Sequence, residues 1–198
     1  MNTAEEFEGI ALHDRLAFHW EPAALADPVE LDHVNQETAR VLQALAVFEE
    51  APKEYGNEPG QSGIELMHLE AKTDVLLSLV GMLIADRLPA AQTHSLVLRP
   101  ASLEWSGPDA ADVERGDSGH ALIYVSPLLP LALKLPARVV STVQRNGARW
   151  IMTRFEYLSP AVEAGMDKLV FRRHRRQVAL VRGTGVHTDT GVFQLSKS

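Results

Sequence analysis

The run Arg154-Phe155-Glu156-Tyr157-Leu158-Ser159-Pro160, followed by Lys168-Leu169-Val170-Phe171-Arg172-Arg173-His174-Arg175-Arg176-Gln177, decides the fold of this 198-residue chain. The first part reads as the end of a strand, the second as the end of a helix. Ser159 is the expected N-cap, and Pro160 suits the first helical position because it has no N–H to lose. Val162, Met166, Leu169 and Val170 recur at helical spacing and form the stripe expected to be buried. Four arginines fall within the five residues 172–176 of an otherwise acidic protein. Like charges repel at that spacing, so solvation, the helix dipole or an anionic partner has to offset the cost.

Working back from this helix, Asn146-Gly147 marks a hairpin turn into Arg149–Tyr157. Before it the apolar period is two. Leu131, Leu133, Leu135, Ala137 and Val139 face in while Lys134 and Arg138 face out. Ala121, Ile123 and Val125 alternate with His120, Leu122 and Tyr124; Leu96 with Leu98, and Leu103 with Trp105, repeat the pattern. Five or six short antiparallel strands within about 65 residues predict a small barrel, which removes its own edges.

Upstream the period becomes helical. Asp27 is an N-cap, with Pro28 in the first helical position and Glu30 as its capping-box partner. Leu31, Val34, Thr38, Val41, Leu45 and Phe48 follow in steps of three and four. Residues 51–61 hold two prolines and two glycines and read as a loop. A second helix opens at Ser62, capped with Glu65, and carries the seam Leu66, Leu69, Thr73, Leu76, Val80 and Leu83. Leu77, Leu79 and Ile84 widen its apolar face beyond one flank. The two helices either fold back as a hairpin or associate with other copies. The expected organisation is α+β: an irregular lead segment at 1–27 with a short strand at 16–20, a helical oligomerisation arm at 28–88, the barrel and terminal helix at 89–182, and a flexible tail at 183–198.

The totals bound the function. No apolar run reaches the roughly 18–20 residues of a membrane span, and the first ten residues lack the basic start of a secretory signal. Zero cysteines exclude disulfides, thiolate metal sites and thiol nucleophiles, which fits a reducing cytoplasm. Residues 1–90 hold 17 Asp/Glu against 5 Lys/Arg, a net of −12; residues 91–182 hold 8 against 13, a net of +5. The first half repels nucleic acid, whereas the second suits a small anion or the acidic half itself.

A six-stranded barrel followed by such a helix resembles a PilZ domain. The residues that carry the resemblance are Leu133-Lys134-Leu135-Pro136-Ala137-Arg138-Val139-Val140, Arg154-Phe155-Glu156-Tyr157-Leu158-Ser159 and Lys168 to Arg175. With its added helices the chain is similar to the atypical tetrameric PilZ branch, well over 63–180 and loosely over 28–62. The resemblance implies a non-enzymatic bacterial regulator in cyclic di-GMP signalling, assembled as a homo-oligomer with a tetramer as first expectation. Typical members hold the dinucleotide with an RxxxR motif before the barrel and a [DN]xSxxG motif on an early strand. This chain departs at both. Pro100-Ala101-Ser102-Leu103-Glu104-Trp105 keeps only Ser102 of the second motif, and Arg87 and Arg99 stand singly where the first belongs.

Arginine grips phosphate oxygens or a guanine edge with a planar fork, and glycine lets backbone approach a flat base where tryptophan blocks it. Ligand contacts are therefore expected either from Arg172, Arg173 and Arg176 on the terminal helix or from Arg99 and Ser102 by the barrel. Two functions stand: a cyclic di-GMP receptor with an atypical or degenerate site, or a nucleotide-independent oligomeric scaffold that binds a protein partner. No cofactor is expected. Gly116-Asp117-Ser118-Gly119 copies a serine-protease tetrad, but a triad needs a base and carboxylate beside the serine, and the segment reads as a turn. The eight histidines include no zinc-helix spacing. Trp20, Trp105 and Trp150 are expected in the core or at an interface rather than as base-stacking platforms.

Overall fold

The computed structural model describes residues 9–25, 27–49, 69, 72–73, 75–76, 92–126 and 131–184. Six strands close an antiparallel barrel: β1 (Leu12–Pro22), β2 (Gln92–Leu98), β3 (Ser102–Ser106), β4 (Ser118–Tyr124), β5 (Leu133–Arg145) and β6 (Ala148–Phe155), in the spatial order β1-β2-β3-β6-β5-β4. A 3-10 turn, Pro108–Asp112, follows β3. Helices α1 (Pro28–Glu49) and α2 (Pro160–Thr184) pack on each other and on the barrel.

The expected local signals are present. Val29 N–H donates to Asp27 Oδ1 at 2.9 Å, which caps α1, and Val162 N–H donates to Ser159 Oγ at 3.4 Å at the start of α2. Asn146 and Gly147 both take positive φ, 52° and 78°, as a two-residue hairpin turn requires. Val162, Met166, Leu169 and Val170 are fully buried. They share one core cluster with Phe18, Trp20, Leu98, Leu103, Trp105, Ile123, Leu135 and Ile151.

Two expectations are corrected. The lead segment is not irregular through residue 27, because Leu12–Pro22 is an eleven-residue barrel strand. It pairs with β2 on one side and β4 on the other and so closes the barrel. Its alternation fails at Asp14, an exposed polar residue at a position where Leu12, Phe18 and Trp20 point inward. Leu131, expected to face in, is exposed and precedes β5.

The buried face of α1 is Val34, Asn35, Thr38, Leu42 and Leu45. It lies on β5 and α2: Thr38 Oγ1 donates to the Lys134 carbonyl at 2.7 Å, and a Cβ on Gly165 of α2 would stand 2.8 Å from Leu42 Cδ1. Asn35 ties α1 to the β6–α2 turn. Its Nδ2 donates to the Tyr157 carbonyl at 2.8 Å, and its Oδ1 accepts from Ser159 N–H at 2.7 Å. The loop at 51–61, the caps Ser62 and Glu65, and the seam residues Leu66, Val80 and Leu83 lie outside the described residues, as do Arg87 and the tail from residue 185. Leu69, Thr73 and Leu76 are described; they are helical and exposed, with Thr73 Oγ1 donating to the Leu69 carbonyl at 2.9 Å.

Candidate functional site

Two separate regions receive the residues singled out from the sequence. The first is where α2 meets the end of α1. Arg173 donates from Nε to Glu49 Oε1 at 2.8 Å, and its Nη2 lies 2.8 Å from the same oxygen. Arg172 reaches the Ala46 carbonyl at 3.4 Å and lies 3.6 Å from Glu49 Oε2, and Arg176 donates to the Glu49 carbonyl. The last carbonyls of α1 lack helical partners and carry the negative end of its dipole. Arg172 and Arg173 therefore neutralise one carboxylate, and Arg172 and Arg176 reach carbonyls of the helix end. Arg172, Arg175, Arg176 and Ala179 also line a shallow concavity of about 300 Å³, where Arg175 stacks over Phe171 at 5.7 Å.

The second region is the outer face of β3 and its neighbours. Leu103 and Trp105 fill the barrel, so the alternating residues Ser102 and Glu104 point outward. Both are nevertheless buried. Glu104 sits in register between Val97 of β2 and Met152 of β6. Arg99 Nη1 donates to its Oε1 at 2.7 Å, and Arg145 Nη1 to its Oε2 at 2.5 Å. Arg145 comes from the β5–β6 hairpin, its guanidinium 5.9 Å from the Trp150 ring. Ser102 lies opposite Arg154 of β6, and its Oγ has no hydrogen-bond partner among the described residues.

Arg99 and Ser102 are thus brought to one face, far in arrangement from the α2 arginines, which serve the end of α1. Sequence reading missed Glu104, Arg145 and Glu49. Glu104 lay inside the segment compared with the [DN]xSxxG motif but at one of its unspecified positions, and no local signal pairs it with Arg145. Trp105, where that motif has glycine, is fully buried inside the barrel beside Phe18 and Trp20. Trp150 is the one tryptophan of the three on the outer face.

Below the β2–β3 hairpin, Pro100, Ala101, Phe155, Tyr157, Leu158, Glu163 and Asp167 line a cavity of about 360 Å³. Its two carboxylates oppose entry of a phosphate. Arg115 and Gly116 form a turn, with Asp117 Oδ2 accepting from Glu114 N–H at 2.8 Å and Gly116 at φ 100°, whereas Ser118 and Gly119, expected in the turn, already belong to β4 and pair with Arg138 and Ala137 of β5. Among the described residues no group of three or more His, Asp or Glu is placed to hold a metal, and no helix is long and apolar enough to cross a membrane.

A family model described as "Atypical PilZ domain, cyclic di-GMP receptor" matches residues 42–183. Among solved structures the chain is similar to a pathogenic protein from Xanthomonas campestris, described as a new tetrameric PilZ domain self-assembled via an unusual helical bundle. The TM-score is 0.69 at 23% identity, over 87% of this chain and 92% of that one. At that identity the likeness is one of fold. Curated proteins give no sequence match.

Proposed function

The chain belongs to the atypical PilZ domain family, and from that premise we propose that it is a non-enzymatic signalling regulator of the bacterial cytoplasm whose cyclic di-GMP site is degenerate. The observation that carries this reading is the Arg99–Glu104 pair. Arg99, the arginine whose backbone N–H bonds the carbonyl of the retained Ser102, has its side chain already held by a buried carboxylate at 2.7 Å. The arginines of α2 support the same reading, because Arg172, Arg173 and Arg176 are engaged with the end of α1.

Assembly is the function left to the arm. Leu69, Val75 and Leu76 are 61%, 58% and 62% exposed in the single chain, a cost that a second copy removes by covering them. A homo-oligomer built on the seam of Leu66, Leu69, Thr73, Leu76, Val80 and Leu83 fits this exposure, with the helical bundle of the Xanthomonas campestris protein as the pattern for a tetramer. The same exposure favours the second reading, a nucleotide-independent scaffold whose assembled surface binds a protein partner.

Titration calorimetry of the full chain with cyclic di-GMP tests the site. The expected result is no heat at micromolar concentrations. Micromolar binding that disappears in Arg172→Ala/Arg173→Ala/Arg176→Ala overturns the degenerate reading in favour of a receptor site on α2; binding that survives those changes places it by Arg99 and Ser102.

A further inference from the structure

We infer that the outer face of β3 and β6 is a phosphate-binding site held shut by the protein's own Glu104; this rests on the degenerate-site reading and names what closes the site. A carboxylate and a phosphodiester each present one negative charge and two acceptor oxygens. Two guanidiniums converging on such a group form the arrangement by which proteins hold phosphate. Here each oxygen of Glu104 has its own guanidinium, Arg99 at 2.7 Å and Arg145 at 2.5 Å.

Three further observations point to a ligand rather than to a plain structural pair. Ser102 Oγ is buried, has no hydrogen-bond partner among the described residues, and shares the outward face two residues from Glu104. A buried hydroxyl without a partner is costly, and a phosphate oxygen would satisfy it. Arg154 stands opposite Ser102 on the neighbouring strand and adds positive potential. Arg145 reaches Glu104 from a hairpin and keeps 47% of its side chain exposed, against 4% for Glu104. It covers the carboxylate as an outer flap, and the Trp150 ring beside it offers an apolar surface to whatever carries the phosphate.

Thermal unfolding of the full chain at constant ionic strength tests this, with inorganic pyrophosphate and, separately, cyclic di-GMP as probes. The wild-type midpoint is expected to stay where it is. Glu104→Gln keeps the shape and removes the charge. Its midpoint is expected to rise by about 5 °C or more at a hundredfold excess over the dissociation constant, and the rise is expected to vanish when Arg99→Ala is added. Equal gains with both probes mean that the face reads phosphate alone; a gain with cyclic di-GMP only means that the bases contribute as well. A folded Glu104→Gln protein that responds no more than wild type overturns the inference and leaves the degenerate-site reading intact. A wild-type response to cyclic di-GMP overturns both. Should Glu104→Gln not fold, Glu104→Thr, which suits a strand, is judged by the same criterion.

Discussion

Arg173 donates from Nε to Oε1 of Glu49 across 2.8 Å, joining residues 124 apart in the chain. The contact turns the arginine cluster inward. Arg172, Arg173 and Arg176 all meet the end of α1, and their contacts join the two helices that pack on the barrel. Glu49→Ala takes the carboxylate from Arg172 and Arg173 and leaves Arg176 its carbonyl, so stability is expected to fall by about 3 kcal/mol, the usual penalty for removing one member of a buried pair. Urea unfolding measures it, and a loss below about 0.5 kcal/mol means that the cluster is merely solvated.

Asn35 makes the second bridge between α1 and the start of α2. Asn35→Ala leaves the Tyr157 carbonyl and Ser159 N–H without their partner and is expected to cost about 2 kcal/mol. Tyr157→Gly has the opposite logic. Tyr157 sits at φ 57°, which glycine adopts without strain, and its side chain is more than half exposed. That variant is expected to unfold within about 1 kcal/mol of wild type. Equal losses from the two substitutions contradict the assignment.

Gly107 is required by space rather than by its dihedrals. A Cβ there would lie 2.0 Å from Cδ2 of His94, a ring packed without exposure between Phe18 and Trp105. Gly107→Ala is expected to cost about 2–3 kcal/mol as an overpacked core site. The Gly107→Ala/His94→Ala pair should recover part of that loss. A double mutant whose loss equals the sum of the singles rules the clash out.

Stability should also depend on pH through His120. Burial, then Lys134, lower its pKa below the ordinary 6.5, against the opposing pull of Glu21 and Glu30. Below about pH 6.5 the unfolded chain therefore takes up a proton that the folded chain refuses, and stability falls as the pH drops toward the lowered value. His120→Gln removes this contribution. Comparing urea midpoints at two pH values on either side of 6.5, the wild type should lose more than the variant; equal losses assign the slope to other groups.

The assembly proposal has its own readout. Leu69→Asp/Leu76→Asp places two charges on the exposed seam and is expected to reduce the mass seen by light scattering to that of a single chain, with the fold kept by circular dichroism. An unchanged wild-type mass would falsify the seam as the assembly surface.

What could be read locally was read correctly where one strand face or one helix turn holds the information. The caps at Asp27 and Ser159, the Asn146-Gly147 turn, and the inward sets of β4 and α2 depend on neighbours a few residues away. The strand β1 was only partly legible, because Asp14 breaks its alternation and the rest of its identity comes from pairing with β2 and β4. The candidate site was least legible. Arg99 and Ser102 were recognised as positions, but the partner that gives Arg99 its role, Glu104, looked like an ordinary outward residue of a strand.

The amino-acid sequence by itself determined the barrel-plus-helix class, the family likeness and the departures from the two motif patterns at their expected positions, because periodicity, caps and motif spacing are short-range properties. Only the tertiary structure decided what the charges do. Packing Gly165 of α2 against Leu42 of α1 brings Arg173 to Glu49, and pairing β3 with β6 brings Arg145 of the β5–β6 hairpin onto Glu104. Coulomb energy and burial depend on distances between elements remote in sequence, and those distances exist only after the chain has folded.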